Sequence, residues 1–298
     1  MKAQILDGKV LAAEFRQEIA RGTAQLIENS GIQPGLGVIL VGADPASASY
    51  VTAKERACKE AGMYSEDIRL PGESSEAEVL AIVERMNRDP KIHGILVQLP
   101  LPQHINESRV INAINPEKDV DGFTPINVGR MMIGEPCFLP CTPHGIIQML
   151  LKAGVETAGS HAVVVGRSNI VGKPVAQLLT RKAKGGNATV TVCHTGTKEL
   201  ERHTLQADIL IVAAGRPGTI TGEMVKPGAV VIDVGVNRIP DQTRPKGFRL
   251  AGDVDFESVG QRASLITPVP GGVGPMTITM LLYNTLESAE RAVGVKQI

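Results

Sequence analysis

Residues 162–172 read AVVVGRSNIVG, an apolar run that ends in a loop with a glycine at each end. The run predicts a buried β-strand, and the segment around 175–181 predicts a helix after it. Small residues let a phosphate group approach such a loop, and N–H groups at the start of a helix point at the anion. The next strand ends at His194, 28 residues after Gly166, which is typical of a βαβ unit of about 30 residues. The stretch predicts nucleotide binding, although a tight strand–helix turn also needs glycine for structural reasons alone.

Apolar strands alternate with helix-like segments along most of the chain, which predicts an α/β fold with largely parallel sheets. After the glycine loop, further strands are predicted at 189–193, 209–213 and 229–234, the succession expected of a Rossmann-like domain. In the first part of the chain, capping patterns such as Asp44-Pro45 and Ser75-x-x-Glu78 mark helix starts. The elements predicted there are a helix at 10–27, a strand at 36–41, helices at 44–61 and 75–87, and a strand at 94–99.

Two clusters of glycine and proline divide the chain. The first, at 134–143, is typical of a domain crossing, and the second, at 268–275, leads into a helix from Met276 to about Val293. We expect that last helix to return to the first domain. The sequence therefore predicts an N-terminal βα domain, residues 1–139 and 276–298, and a Rossmann-like nucleotide-binding domain, residues 140–275.

The charge balance excludes some classes of partner. The chain has 31 Lys and Arg against 31 Asp and Glu, which argues against a general nucleic-acid binder, since those are normally basic. No apolar run approaches the ~18 residues of a membrane span, so we expect no membrane association and a cytoplasmic location. The four Cys and six His follow no metal-binding spacing, which predicts reduced thiols and no metal site.

The end of the second strand after the glycine loop bears on the cofactor. NAD enzymes commonly place an acid there to bind the ribose 2′-hydroxyl, but this chain has His194-Thr195-Gly196-Thr197, with no carboxylate. Arg167 lies in the glycine loop, and a guanidinium favours a 2′-phosphate. NADP is therefore predicted over NAD, while a solvated Arg167 at the surface is the alternative.

Polar side chains suited to acid/base chemistry occur in the first domain. Tyr50 and Lys54 are four apart in a predicted helix and share one face; such a pair can do acid/base work once burial shifts a pKa. Gln98 ends a buried strand, where α/β proteins collect ligand contacts. Asp119 and Asp121 lie in an apparent loop. A solvent-facing Tyr–Lys pair and two aspartates that serve only as turn residues are the alternatives.

Together these residues resemble the family of bifunctional methylenetetrahydrofolate dehydrogenase/cyclohydrolases. The matching motifs cover nearly the whole chain in the family's order: Tyr50-x-x-x-Lys54, VQLPLP at 97–102, DVDGF at 119–123, CTPxG at 141–145, GRSxIVGxP at 166–174, VVIDVG at 230–235 and PVPGGVGPMT at 268–277. The resemblance implies two reactions in one cleft between two domains. The first oxidises 5,10-methylenetetrahydrofolate to the 5,10-methenyl cation by hydride transfer to NADP⁺, and the second hydrolyses that cation to 10-formyltetrahydrofolate.

The resemblance also implies roles for individual residues. Lys54 would be the central acid/base group, Gln98 would hold and tune it, Tyr50 would lie along the folate rings, and Asp121 would bind the pterin edge. The other folate contacts implied are Val97, Leu99, Pro268 and Gly272, which makes the first domain a folate-binding catalytic domain. The implied NADP contacts are Gly166, Arg167, Ser168, Thr195 and Ile232, and the implied assembly is a homodimer through the cofactor domain.

One position departs from the family. Many relatives carry Ser-Arg/Lys-Thr after the histidine, where this chain has Thr195-Gly196-Thr197. Without that basic residue, Arg167 is the main candidate to bind a 2′-phosphate.

Three other functions compete with this interpretation. Short-chain dehydrogenases also use Tyr-x-x-x-Lys, but after the cofactor glycines, whereas Lys54 here precedes Gly166 by 112 residues. A nucleotide-binding regulatory protein would leave Tyr50, Lys54, Gln98 and Asp121 unexplained together. A relative with only one of the two activities is the third alternative, and the intact lysine and glutamine favour both activities.

Overall fold

A computed structural model describes residues 2–244 and 247–295. Within these residues the strands are β1 (Gln4–Ile5), β2 (Gly35–Val41), β3 (Tyr64–Leu70), β4 (Gly94–Val97), β5 (His161–Val165), β6 (Thr189–Cys193), β7 (Ile209–Val212), β8 (Val230–Asp233), β9 (Asn237–Pro240), β10 (Phe248–Ala251) and β11 (Leu265–Ile266). The helices are α1 (Gly8–Ser30), α2 (Pro45–Glu60), α3 (Glu76–Arg88), α4 (Glu107–Ala113), α5 (Pro125–Ile133), α6 (Cys141–Lys152), α7 (Gly172–Thr180), α8 (Leu200–Thr204), α9 (Phe256–Gly260) and α10 (Val273–Ala292).

Backbone contacts divide the chain into two compact units. The three-stranded unit comprises Ala13–Cys141 and Ile278–Ile298, and the six-stranded unit comprises Met1–Ala12 and Thr142–Thr277. Of the helices in the described ranges, none is both long and apolar enough to cross a membrane.

The three-stranded unit is built on a parallel sheet in the order β3-β2-β4. Every residue of β2 is buried, because the continuous apolar run lies in the centre of the sheet. The predicted caps are confirmed: the Asp44 side chain accepts from the N–H of Ser47 at 2.7 Å, and Ser75 with Glu78 forms a capping box. The apolar faces of the sheet and α3 form the core, which includes Ile39, Val79, Val83, Met86, Ile95, Val97 and Val110.

The last part of α10 packs in the three-stranded unit through buried polar contacts. Nδ2 of Asn284 donates to the carbonyl oxygens of Val120, at 2.8 Å, and Leu139, at 3.0 Å. Oγ of Ser288 donates to the carbonyl oxygen of His93 at 2.6 Å. The prediction that the C-terminal helix returns to the first domain is confirmed.

The six-stranded unit has a wholly parallel sheet in the order β1-β11-β8-β7-β5-β6. β5 lies between β6 and β7, so the chain moves to one side of β5 and then returns to the other. The carboxyl end of β5 is therefore a topological switch point, where open α/β sheets bind ligands. The sheet buries apolar residues that include Val163, Val165, Leu210, Val212, Val231 and Ile266, and β9 and β10 form a separate antiparallel ribbon.

The structure differs from the sequence-based expectation at the N-terminus and in β3. Residues 2–12, expected in the first domain, lie in the six-stranded unit, because β1 pairs with β11 and Gln4 lies opposite Leu265. Such a short strand has no sequence pattern of its own. β3 was not predicted, because its sequence, YSEDIRL, is mostly polar, and it lies at an edge of the sheet.

Candidate active site

Lys54 and Gln98, predicted from the sequence as members of one site, are in direct contact in the three-stranded unit. Lys54 lies on α2 with only 8% of its surface exposed, and its Nζ donates to Oε1 of Gln98 at 3.0 Å. Gln98 directly follows β4, and its Nε2 donates to the carbonyl oxygen of Leu99 at 2.7 Å. That second bond orients the amide so that its oxygen faces the lysine.

The surroundings of Lys54 favour its neutral amine. Burial lowers the pKa of Lys54, and the negative charge of Asp121 opposes that shift. Burial likewise raises the pKa of Asp121, opposed by the charge of Lys54. Both shifts favour the uncharged forms, and the Gln98 amide holds the amine without adding an opposite charge that would stabilise the ammonium. The arrangement can therefore accept and release a proton at Nζ.

The two aspartates of the 119–123 loop have different surroundings. Asp119 is 1% exposed and accepts from the N–H groups of Phe123 and Thr124, Oγ1 of Thr124 and Nδ2 of Asn127, at 2.7 to 3.1 Å. These bonds satisfy its carboxylate and begin α5, so Asp119 is a turn residue. Asp121 is the carboxylate whose charge acts on Lys54.

Cys141 is a member of this site that the sequence reasoning did not select. Its thiol is buried and donates to the carbonyl oxygen of Val120 at 3.3 Å. Burial, and next the charge of Asp121, raises the pKa of Cys141 well above its usual range. The thiol therefore stays protonated. The signal that could have found it is its place at the start of the CTPxG motif.

The remaining residues implied as folate contacts have different exposures. Tyr50 lies one turn before Lys54 on α2 and is 40% exposed, so its ring is open to a ligand. Val97 is 3% exposed and belongs to the apolar core of the three-stranded unit, whereas Leu99 is half-buried. Pro268 and Gly272 lie in the six-stranded unit, where a Cβ on Gly272 would come within 2.6 Å of the Pro268 carbonyl oxygen.

The glycine loop after β5 is closely packed at both ends. Gly166 has φ of +133°, and a Cβ there would collide with the carbonyl oxygen of Ala213, in the loop after β7. A Cβ on Gly172 would collide with the carbonyl oxygen of Gly166. Both positions require glycine because β5, the loop and α7 approach one another at backbone distance.

The amide groups available to an anion differ from those expected. The N–H groups of Val171 and Gly172 donate to Oγ of Ser168 at 3.1 and 3.3 Å, and that of Lys173 donates to the Ser168 carbonyl at 3.0 Å. The first turn of α7 is therefore already bonded. The backbone N–H groups of residues 167–170 have no hydrogen-bond partner among residues 2–244 and 247–295, and these residues are exposed. A run of open loop N–H groups suits a phosphate.

The other residues implied as cofactor contacts belong to the same unit as this loop. Arg167 is exposed, and no acidic side chain in the described ranges forms an ion pair with it. Thr195 is exposed in a turn where the Gly196 N–H donates to Nδ1 of His194 at 3.0 Å. Ile232 is 0% exposed and pairs with Ile211 inside the sheet, so neither its side chain nor its backbone is open to a ligand.

Family models match both parts of the chain. Residues 6–121 match the catalytic domain of tetrahydrofolate dehydrogenase/cyclohydrolase, and residues 140–293 match the NAD(P)-binding domain of the same family. The bifunctional protein FolD of Moorella thermoacetica is 59% identical over 291 residues, which is 98% of this chain and 100% of the relative. FolD of Syntrophus aciditrophicus is 57% identical over 295 residues, 99% of this chain and 100% of the relative.

Solved structures agree with these matches. The FolD methylenetetrahydrofolate dehydrogenase/cyclohydrolase of Campylobacter jejuni is 47% identical, with a TM-score of 0.91 over 97% of this chain and 99% of its own. The Trypanosoma brucei enzyme, solved with NADP cofactor and an inhibitor, is 39% identical, with a TM-score of 0.94 over 99% of both chains. The chain belongs to the tetrahydrofolate dehydrogenase/cyclohydrolase family, as its motifs indicated.

Proposed function

We propose that this chain oxidises 5,10-methylenetetrahydrofolate to 5,10-methenyltetrahydrofolate with NADP⁺ and then hydrolyses the product to 10-formyltetrahydrofolate, with Lys54 as the acid/base group. The observation that supports this assignment most directly is the buried hydrogen bond of 3.0 Å from Nζ of Lys54 to Oε1 of Gln98. The lysine and the glutamine that the family resemblance implies for catalysis are both present, which favours a protein with both activities over a protein with one.

The dehydrogenase step places few chemical demands on the protein. A hydride, with its two electrons, leaves the methylene carbon of the folate and leaves behind the methenyl cation; NADP⁺ supplies the hydride acceptor. The residues of this chain bind and orient the reactants, and this positioning lowers the activation barrier. The open N–H groups of residues 167–170 suit the phosphates, and the Arg167 guanidinium suits the 2′-phosphate. A neutral Lys54 adds no repulsion beside the cation.

The cyclohydrolase step needs a group that exchanges protons. Water adds to the methenyl carbon and loses a proton. One carbon–nitrogen bond of the ring then breaks as the remaining hydroxyl loses its proton and becomes the formyl carbonyl. The released nitrogen takes up a proton, so one proton leaves overall. Lys54 as an amine can accept a proton from the attacking water and, as an ammonium, can deliver one to the released nitrogen. Asp121, beside it, suits the N–H donors along the edge of a pterin. Tyr50, exposed one turn away on α2, offers its ring to the flat ring system.

The experiment that tests this function follows methenyl-folate absorbance. The purified protein is mixed with 5,10-methylenetetrahydrofolate and either NADP⁺ or NAD⁺, with a cofactor-free mixture as control. We expect the absorbance to rise and then decay with NADP⁺, and to rise more slowly with NAD⁺. If no reduced cofactor forms, the dehydrogenase assignment is wrong; if methenyl-folate forms and decays no faster than it does without protein, the cyclohydrolase assignment is wrong.

The homodimer and the cytoplasmic location expected from the sequence stay predictions. Sedimentation of the purified chain at several concentrations measures the first, with a mass of twice 31.6 kDa as the expected result.

A further inference from the structure

Asp253 is a buried carboxylate that the reactions described above do not use. Its side chain is 0% exposed, and none of the Lys, Arg or His side chains in residues 2–244 and 247–295 forms an ion pair with it. Oδ2 accepts from the backbone N–H groups of Ala214 at 2.7 Å and Gly215 at 2.8 Å. Oδ1 accepts from Nδ2 of Asn237 at 2.8 Å. A buried charge without a cation is costly unless hydrogen bonds satisfy it, and here each oxygen has a donor.

The backbone of Asp253 is held as firmly as its side chain. The N–H of Asp253 donates to Oδ1 of Asp233, at the end of β8, at 2.9 Å. A Cβ on Gly235 would collide with the Asp253 carboxylate, and one on Gly252 would collide with that of Asp233. The chain therefore packs around both carboxylates at backbone distance, and this packing together with the Asn237 bond keeps Asp253 facing the loop that it binds.

The loop that Asp253 binds follows β7 at the carboxyl edge of the sheet. Its residue Ala213 lies against Gly166, since a Cβ on that glycine would collide with the Ala213 carbonyl oxygen. The loop after β7 and the glycine loop after β5 are therefore neighbours at the topological switch point, where dinucleotides bind in such sheets. Beyond this anchor the loop is exposed, and both Gly215 and Gly218 have positive φ, +69° and +63°.

We propose that Asp253 is a positioning residue for NADP⁺: through the N–H groups of Ala214 and Gly215 it fixes the loop after β7 in the conformation that the bound dinucleotide requires. This inference rests on the proposed dehydrogenase function. A carboxylate is needed because one oxygen receives two backbone donors while the other receives an amide. An asparagine has a single acceptor oxygen, so its NH₂ group would face either the two backbone N–H donors or the Asn237 amide donor.

The test compares Asp253→Asn with Asp255→Asn. Asp255 is exposed two residues away and accepts from Oγ of Ser258 at 2.7 Å, so the control makes the same chemical change away from the loop. Three quantities are measured: the Kd for NADP⁺ by calorimetry, hydrogen exchange of the peptide covering 209–217, and hydrolysis of added methenyl-folate without cofactor. The last quantity reports whether the variant still folds its Lys54 site.

We expect Asp253→Asn to raise the Kd for NADP⁺ about tenfold or more, because bonds to a charged acceptor are lost or weakened. Exchange at 214–215 should become faster, while methenyl-folate hydrolysis stays within about twofold of wild type. Asp255→Asn should leave all three unchanged. A Kd within about twofold of wild type for Asp253→Asn overturns the proposal, with or without faster exchange, because a merely structural contact would change exchange alone.

A second variant covers the case in which Asp253→Asn does not fold. Asn237→Ala removes the donor to Oδ1 and leaves both loop bonds available, so it loosens Asp253 from the other side. We expect it to raise the Kd for NADP⁺ by a few fold, and an unchanged Kd contradicts the proposal. Failure of the wild-type protein to bind NADP⁺ would instead overturn the dehydrogenase function itself.

Discussion

Nζ of Lys54 lies 3.0 Å from Oε1 of Gln98, and the amide nitrogen of that glutamine is in turn bonded to the carbonyl oxygen of Leu99 at 2.7 Å. The lysine is thus held by a neutral partner whose orientation the backbone fixes. A carboxylate at this position would hold the lysine equally well but would stabilise its ammonium form. This difference in charge, at nearly constant shape, makes Gln98 the position at which the role of a neutral amine is most easily tested.

We expect Gln98→Glu to lower methenyl-folate hydrolysis at neutral pH about tenfold or more, since general base catalysis requires the unprotonated amine. The added negative charge raises the pKa of Lys54, so the remaining activity should increase with pH over a range where wild type is constant. The measurement is the pH dependence of kcat. Gln33→Glu, at an exposed glutamine in the same unit, is the control. An unchanged pH profile for Gln98→Glu would show that Lys54 does not act as a base.

Arg167 should determine cofactor preference. Its exposed guanidinium follows Gly166 directly. Loss of a charge-assisted bond to a 2′-phosphate should weaken the binding of NADP⁺ about tenfold or more. We expect Arg167→Ala to leave the affinity for NAD⁺ nearly unchanged, because NAD⁺ has no 2′-phosphate. Calorimetric titration of both cofactors checks this, with Arg202→Ala, an exposed arginine paired with Glu199, as control. Equal losses for the two cofactors would exclude the 2′-phosphate contact.

The buried carboxyl of Asp233 should make stability depend on pH. Burial is the main reason that its pKa rises to about 6, although three backbone N–H groups, of Gly235, Asp253 and Val254, donate to it. Because the folded pKa exceeds the unfolded value, this group stabilises the fold at low pH, and its contribution is lost as pH rises from about 4 through about 6. A shift of this size corresponds to about 3 kcal/mol.

The measurement is urea unfolding of wild type and Asp233→Asn at several pH values between about 4 and 7. We expect the free energy of unfolding of wild type, relative to the variant, to fall by about 3 kcal/mol across that range. Other carboxyl groups are common to both proteins and cancel in the difference. A difference that is constant with pH would mean that Asp233 has the same pKa in the folded and unfolded chain.

The close approach of Gly172 to the Gly166 carbonyl group should affect the free energy of unfolding when Gly172 is replaced. A Cβ on Gly172 would collide with the Gly166 carbonyl oxygen, whereas one on Gly260, at the end of α9 in the same unit, would meet no atom within 4 Å. We expect Gly172→Ala to lower the free energy of unfolding by about 2 kcal/mol or more, and Gly260→Ala to change it by less than about 1 kcal/mol. Urea unfolding followed by circular dichroism compares them, and equal effects would be inconsistent with this packing.

The sequence pattern predicted the parts of the fold that local chemistry determines. Asp44-Pro45 located the start of α2, and that helix carries Tyr50 and Lys54 on one face. The apolar runs located β2 and β5, because strands buried on both faces are continuously apolar. β1 and β3 could not be found in this way. β1 is two residues long and forms only by pairing with β11, which is far away in the chain. β3 is a polar edge strand stabilised by its pairing with β2.

The site was predictable where a residue type carries its chemistry. Lys54, Gln98 and Asp121 stood out as polar groups on a helix face, at a strand end and in a loop. The residue pattern alone did not distinguish Asp119 from Asp121, and only the family resemblance selected Asp121. The hydrogen bonds of the folded loop show that Asp119 is a turn residue. Similarly, Ser168 accepts hydrogen bonds from the N–H groups at the start of α7, so the open N–H groups are those of residues 167–170 and not those of the helix. Buried groups such as Cys141 and Asp253 acquire their partners only through tertiary packing.

The role of Lys54 is tested most directly by Lys54→Met, which keeps an unbranched side chain of similar length and removes the amine. The measurement is the rate of methenyl-folate hydrolysis with added substrate, next to the Kd values for folate and NADP⁺. Lys59→Met, at an exposed lysine in the last turn of α2, is the matched control. We expect Lys54→Met to bind both ligands and to hydrolyse methenyl-folate at least about a hundredfold more slowly than wild type. Hydrolysis at the wild-type rate by Lys54→Met would contradict the assignment of Lys54 as the acid/base group.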